Sequence, residues 1–102
     1  MMKTIMLACA AGMSTSLLVT KMEEAAKENN LEVKIFAKPV SELDQVLKSE
    51  SIDVLLLGPQ VSFMKKELSK KLEPSGIPVA TIDMSSYGMM DGEKVLNQAL
   101  NS

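Results

Sequence analysis

The chain has 102 residues, of which 46% are hydrophobic and 24% are charged, and its net charge is −2. These values predict one globular domain over residues 1–102, and the negative charge argues against nucleic acid as the main partner. All eleven basic residues are lysine, and the chain contains one cysteine and no histidine, which excludes an internal disulfide and an ordinary zinc site. We therefore predict no metal and no cofactor.

The predicted elements begin with a short apolar run over residues 4–8. This run predicts a buried strand rather than a signal peptide, because it passes directly into a small-residue loop. Ser14 or Thr15 is a candidate cap for a first helix over residues 16–29. The apolar face of this helix is predicted to contain Leu17, Leu18, Met22, Ala25 and Ala26.

Strands and helices continue to alternate along the rest of the chain. A second strand is predicted over residues 31–37, before Pro39, and a short helix from Ser41. Residues 53–57 are nearly all apolar, which is typical of a central parallel strand. The remaining elements are predicted to be a helix over residues 61–72, a strand over 79–82, a loop over 83–91 and a helix from 92 or 93 to 100.

This alternation predicts an α/β fold: a four-stranded parallel sheet with helices on both faces. The first strand carries no charged residue, so we place it centrally, which gives the strand order 2-1-3-4. Cys9 then lies at the end of the first strand, where the strand order reverses and open α/β sheets bind ligands. No apolar run reaches membrane-spanning length, so we expect a cytoplasmic location without membrane insertion.

The loop after the first strand has the residue types of a phosphate site. Its small residues and the N-terminus of the next helix can direct backbone N–H groups at an anion. The candidate phosphate-binding residues are Ala10, Ala11, Gly12, Met13, Ser14, Thr15 and Ser16. The same field favours thiolate over thiol, so Cys9 is a candidate nucleophile; the alternative is a small buried apolar residue.

Cysteine-dependent phosphatases, including the low-molecular-weight tyrosine phosphatases, resemble this arrangement of a cysteine, a cradle loop and a helix. They end the loop with an arginine six residues after the cysteine, a position that Thr15 occupies here. A site without this clamp is better suited to accept a phosphoryl group, hold it and pass it on. A phosphatase-like enzyme and a non-catalytic regulatory domain are the alternatives.

The sequence resembles the enzyme IIB component of the lactose, cellobiose and chitobiose family of the phosphoenolpyruvate-dependent sugar phosphotransferase system. The residues that carry the resemblance are CAAGMSTSLL at 9–18, LLGPQV at 56–61, Ile82-Asp83, Tyr87-Gly88 and Asp91-Gly92.

This resemblance implies a fold similar to that of the low-molecular-weight tyrosine phosphatases. It also implies that Cys9 takes a phosphoryl group from a histidine of the IIA component and transfers it to a sugar bound by the membrane component IIC. The donor histidine would thus belong to another protein. We expect the chain to be monomeric between these partners.

Three further residues are candidates for a partner face. Gln60 follows the third strand and is expected on the edge that carries Cys9, in contact with a partner or as part of a plain turn. Asp83 either orients the cysteine loop or caps its own turn, and we favour capping. Tyr87 either reaches the phosphate or packs over the loop, and we favour packing.

Methionines and lysines near the same edge have two interpretations each. Met13, Met64, Met89 and Met90 suit either a docking face or gap-filling in a core poor in aromatic residues. Lys65, Lys66, Lys70 and Lys71 predict a solvated helix face, with docking to an acidic partner as the alternative.

Overall fold

A computed structural model describes residues 2–10 and 13–101, with the backbone only for Met13 and Ser14. The strands are β1 Lys3–Cys9, β2 Val33–Pro39, β3 Val54–Leu57 and β4 Val79–Thr81. The α-helices are α1 Met13–Glu28, α2 Leu43–Ser49, α3 Lys65–Leu72, α4 Met84–Gly88 and α5 Gly92–Leu100. Shorter 3₁₀ segments are Val40–Glu42, Pro59–Met64 and Glu73–Ser75.

The four strands form one parallel sheet in the order β2-β1-β3-β4. The register of β1 against β2 runs from Lys3 opposite Val33 to Cys9 opposite Pro39. On its other side, β1 pairs with β3 from Ile5 to Ala8. The predicted strand order and the central position of the first strand are therefore confirmed.

The core has two layers, one on each face of the sheet. Alternate residues of β1 and β3 point to opposite faces, as the period of a strand requires. Ile5, Leu7 and Leu56 pack with residues of α1 and α5. Met6, Leu55 and Leu57 pack with residues of α2 and α3 on the other face. Helices thus cover both faces, and the α/β class is confirmed.

The first helix begins earlier than predicted, at Met13. Ser14 and Thr15 lie inside its first turn and do not precede it as caps. Its buried stripe contains Thr15, Leu18 and Met22, which recur at helical spacing, whereas Leu17 is 52% exposed. The prediction that Leu17 belongs to the buried face was wrong, because it lies roughly 100° around the helix from Leu18.

Two predicted segments are organised differently in the structure. The predicted loop over residues 83–91 contains the short helix α4, which Asp83 caps at its N-terminus. The predicted helix over 61–72 is divided, because the 3₁₀ segment is kinked at Val61 before α3 begins at Lys65.

The second strand runs on to Pro39, which was expected to interrupt it. Proline is compatible with this position because β2 is an edge strand and Pro39 is its last residue. Across residues 2–10 and 13–101, no helix combines the length and apolar character that crossing a membrane requires.

Candidate functional site around Cys9

Cys9 is the last residue of β1, at the carboxyl edge of the central strand. Pro39 of β2 lies beside it in register, and Gly58 follows β3 on its other side. Cys9 is 4% exposed, so the thiol is buried. This burial agrees with the interpretation of the cysteine as a core residue. The polar contacts of its sulfur show whether it is only that.

One polar neighbour of the sulfur is Thr15, in the first turn of α1. The fully buried Thr15 hydroxyl donates a hydrogen bond to Cys9 Sγ over 3.1 Å. The backbone carbonyl of Lys38 lies 3.9 Å from the same sulfur, at the long limit for a sulfur hydrogen bond. A purely apolar core cysteine needs no such partners, and the hydroxyl gives the sulfur a fixed orientation toward the start of α1.

The predicted phosphate loop is described in part. Ala10 is an exposed bend, and Ser16 is an exposed residue of α1. Ala11 and Gly12 lie outside the described residues, as do the side chains of Met13 and Ser14. The first N–H groups of a helix have no acceptor within the helix, and α1 begins beside Cys9. An amide cradle at residues 10–16 stays a prediction.

The segment after β3 completes the surroundings of Cys9. Gly58 N donates to the carbonyl of Ala8 over 2.8 Å, which ties this turn to the end of β1. A Cβ on Gly58 would lie 3.9 Å from Cys9 Cβ and 3.2 Å from Gln60 Oε1. Because Gly58 has no side chain, the side-chain oxygen of the exposed Gln60 can fold back over this turn. The structure thus brings Gln60 to the edge where it was predicted.

Asp83 stabilises its own helix. Its carboxylate accepts hydrogen bonds from the Ser85 hydroxyl at 2.9 Å and from the Ser86 N–H and hydroxyl at 3.1 and 3.0 Å. The Ser85 hydroxyl, followed by the Ser86 donors, holds the pKa of Asp83 below its ordinary value of 3.8. This geometry is the capping that we favoured, and within residues 2–10 and 13–101 its carboxylate does not bond to the residues around Cys9.

The remaining candidates of the partner face divide into packed and exposed residues. Tyr87 is half-buried on α4 and packs against the core layer of α1 and α5, as does Met90. Met64 packs against the opposite layer. Met89 is 78% exposed, as its docking interpretation requires.

Two exposed apolar residues near this edge were not predicted from the sequence as candidates for the partner face. Met84 is 74% exposed at the start of α4, and Leu17 is exposed on α1. Both belong to helices that follow strands at the edge of Cys9. For Met84 the available signal was the N-cap Asp83, which marks the start of a helix at Met84.

No group of three or more Cys, Asp or Glu side chains in the described ranges is arranged to hold a metal ion.

Comparison with known families shows which protein family this chain belongs to. The family model described as "PTS system, Lactose/Cellobiose specific IIB subunit" matches residues 4–98. The chain belongs to this IIB family.

Curated relatives of this IIB chain are similar over nearly their whole length. It is 57% identical to the galactose-specific EIIB component of Lactococcus lactis subsp. cremoris, strain MG1363, with 97% of this chain and 94% of the relative covered. It is 56% identical, with the same coverage, to the cellobiose-specific EIIB component of Lactococcus lactis subsp. lactis, strain IL1403. An oligo-beta-mannoside-specific EIIB component of Bacillus subtilis, strain 168, is 47% identical, with 98% of this chain and 95% of the relative covered.

Solved IIB structures have the same fold. The solution structure of a cellobiose-specific IIB component from Borrelia burgdorferi superposes with a TM-score of 0.78 at 44% identity and covers 99% of this chain and 91% of its own. A lactose-specific IIB domain from Streptococcus pneumoniae reaches a TM-score of 0.86 at 18% identity, covering 99% and 97%, and so supports the fold alone. IIB domains share the architecture of the low-molecular-weight tyrosine phosphatases, as expected from the sequence.

This chain is therefore a phosphotransferase-system IIB component of the cellobiose, lactose and galactose type. IIB components are phosphotransferase domains that work with IIA and IIC components. The phosphatase-like and non-catalytic alternatives lose support accordingly.

Proposed function

We propose that Cys9 carries the phosphoryl group between IIA and a sugar bound by IIC. In the first step, Cys9 Sγ attacks the phosphorus of a IIA phosphohistidine; the S–P bond forms, the P–N bond breaks and the histidine nitrogen leaves. In the second step, a sugar hydroxyl attacks that phosphorus, the S–P bond breaks and the thiolate is regenerated. The hydroxyl proton passes to a base on the acceptor side.

The contact between Thr15 and Cys9 is the observation that carries this proposal. A buried hydroxyl within 3.1 Å of the sulfur can turn from the sulfur to an oxygen of the attached phosphoryl group. The first N–H groups of α1 add donors and the positive end of the helix dipole. Ala10, Ala11, Gly12, Met13, Ser14 and Ser16 are proposed to contribute backbone or hydroxyl donors to the same group.

The residues that the chain lacks favour a carrier over a hydrolase. Every basic residue is lysine and there is no histidine, so no guanidinium clamp or imidazole base of this chain can promote attack by water. We propose that IIA and IIC supply the donor histidine and the acceptor base, each at its own step. Because the catalytic groups belong to the partners, the phosphocysteine stays intact between its contacts with IIA and IIC.

The burial of the sulfur indicates that docking has to open the site. Cys9 as a whole residue is 4% exposed, so we propose that local movement accompanies the in-line approach of a phosphohistidine to Sγ. We propose that partners dock on the exposed side chains of this edge: Gln60, Leu17, Met84 and Met89. Asp83 and Tyr87 would act indirectly, by holding α4 in place.

We further propose that the chain works as one domain over residues 1–102, in the cytoplasm, on a sugar of the cellobiose, lactose and galactose class. The names of its relatives support this class, because cellobiose and galactose components are 56% and 57% identical to this chain.

Incubation of the purified chain with phosphorylated IIA tests the proposal. We expect intact mass to increase by one phosphoryl group, peptide mapping to locate it on Cys9, and Cys9→Ala to remove it. Ser75→Ala, at an exposed residue of the 3₁₀ segment Glu73–Ser75 outside the proposed site, is the control and should retain labelling. Unlabelled wild-type protein, a label elsewhere, or sustained hydrolysis of p-nitrophenyl phosphate would overturn the proposal.

A further inference from the structure

A groove lies between α3 and the segment that leads into β4. Its volume is about 1090 Å³ and it is open to solvent. Pockets that enclose small molecules usually measure about 300–1,000 Å³, so the size and openness of this groove suit a segment of a macromolecule. Since α3 covers the sheet face opposite α1, the groove is separate from the helix start beside Cys9.

The groove is locally basic on a protein that is acidic overall. Lys65, Lys66 and Lys70 line it, against a single acidic lining residue, Glu73. Within residues 2–10 and 13–101, none of these three lysines forms an ion pair, whereas the adjacent Lys71 pairs with Asp44. Three uncompensated ammonium groups favour an anionic occupant.

Apolar side chains accompany these charges. Phe63, one of only three aromatic residues in the chain, is 81% exposed at the groove. Ile77 and Val79 line the opposite wall and are partly buried against the core layer of α2 and α3. Exposed aromatic residues are enriched at protein interfaces and often dominate their binding energy. The occupant should therefore carry apolar as well as acidic side chains.

Backbone pairing along β4 contributes little to such recognition. β4 is an edge strand, but the Gln98 side chain donates to the Thr81 carbonyl at 2.7 Å and accepts from Asp83 N at 3.2 Å. Pro78, before the strand, has no N–H to offer. Gln98 thus occupies the carboxyl end of this edge, and we assign recognition in the groove to side chains.

We propose that this groove binds an extended acidic segment of a partner protein. Its carboxylates would contact Lys65, Lys66 and Lys70, and its apolar side chains would pack on Phe63 and Ile77. We commit to a peptide occupant because the groove combines three ammonium groups, unpaired among the described residues, with an exposed aromatic side chain. The proposal does not depend on phosphorylation of Cys9.

Two fluorescent decapeptides test the proposal on the complete chain: one glutamate-rich with two leucines, the other glutamate only. We expect the leucine-containing peptide to bind more tightly, and Phe63→Ala to abolish that preference. Lys66→Glu/Lys70→Glu should weaken binding about tenfold or more, by analogy with charged hot spots. Lys21→Glu/Lys27→Glu makes the same charge change on exposed positions of α1 and should stay within about twofold.

Location and alternatives are tested in the same samples. Amide shifts in a ¹⁵N spectrum should change around residues 62–70 and 76–79. Absence of peptide binding, equal weakening in both lysine variants, or shifts elsewhere would overturn the proposal. So would binding to phosphatidylserine vesicles in place of the peptide, or self-association through Phe63. No phosphoryl donor is present, so failure here is distinct from failure of phosphotransfer.

Discussion

The sequence pattern alone does not show whether Thr15 caps the first helix or lies inside it. From spacing alone it is a helix-cap candidate six residues after Cys9, whereas in the structure it lies inside α1 with its hydroxyl against the sulfur. Helical periodicity cannot reveal this contact, because it depends on how the loop between β1 and α1 turns. A buried hydroxyl is stable only where it has a hydrogen-bond partner, and here one partner is the sulfur of Cys9, the proposed nucleophile.

Replacing Thr15 with valine should separate positioning from folding. Valine has the shape of threonine without the hydroxyl, so we expect a small change in unfolding free energy. Since a hydrogen bond to a charged group is worth about 1.5–3 kcal/mol, phosphotransfer from IIA should slow by about 10- to 100-fold.

The readout for Thr15 is single-turnover phosphotransfer together with the lifetime of the phosphocysteine. Thr15→Ser keeps the hydroxyl and should restore most of the rate. A valine variant with wild-type transfer, or a serine variant as slow as valine, would show that the hydroxyl does not position the sulfur.

Asp83 should make stability depend on pH in the acid range. Its pKa is lowered by the Ser85 and Ser86 donors, so the ionised form is favoured in the folded state. The resulting stabilisation is complete above the unfolded pKa and is lost as pH falls through the lower, folded pKa. Urea unfolding from about pH 6 to about pH 2.5 should therefore show a steeper loss of stability for wild type than for Asp83→Asn.

Glu24→Gln removes one carboxylate from the exposed surface of α1 and controls for net charge. If the Asp83→Asn and wild-type curves ran parallel throughout this range, the carboxylate would not stabilise α4 by its charge.

At the level of elements, α4 shows where sequence patterns fall short. Residues 83–91 are rich in Ser, Gly and Met and have the composition of a loop, and a helix of five residues is too short to show an apolar periodicity. The useful signal was Asp83 three residues before Ser86, since an aspartate cap accepts from that backbone N–H. In contrast, α5 was predicted correctly because Val95, Leu96 and Ala99 form a clear buried stripe.

Gly92→Ala should destabilise the contact between α5 and α1. A Cβ on Gly92 would lie 2.3 Å from Lys21 C and 2.6 Å from Met22 N, both backbone atoms that cannot rotate away. Overpacking of this kind costs about 1–3 kcal/mol, measurable by urea unfolding.

Gly88→Ala is the matched control for Gly92. It is also a helical glycine, but a Cβ there meets nothing within 4 Å. Alanine at this position should be neutral or stabilise by up to about 1 kcal/mol. If both substitutions changed the free energy of unfolding equally, close packing of α5 on α1 would not be what requires glycine at position 92.

For the whole molecule, the sheet order was predictable and the geometry of the site was not. A charge-free first strand and a nearly uniform apolar run in the third strand were enough to place both strands inside a parallel sheet. That placement also put Cys9 at the switch point. The near-complete burial of the Cys9 residue and the exposure of Phe63 depend on tertiary contacts that no local pattern encodes.

Leu56→Ala tests whether the two core layers unfold together. Leu56 is fully buried in β3, between β1 and β4 in register. Truncation of a buried leucine costs about 2–5 kcal/mol, and we expect one cooperative transition by circular dichroism in urea.

Leu31→Ala, at an exposed leucine, should cost less than about 1 kcal/mol. Two separate transitions in Leu56→Ala would show that the layers on the two faces of the sheet are independent units.

Synthesis on the ribosome separates the two helices that meet at Gly92. α1 ends at Glu28, while its partner α5 begins at Gly92, after every other described element. A growing chain therefore has β1 and α1 outside the exit tunnel long before the surface that covers them has been translated. Before α5 is made, nascent IIB should leave part of the apolar face around Leu18 and Met22 uncovered, where a chaperone can bind it.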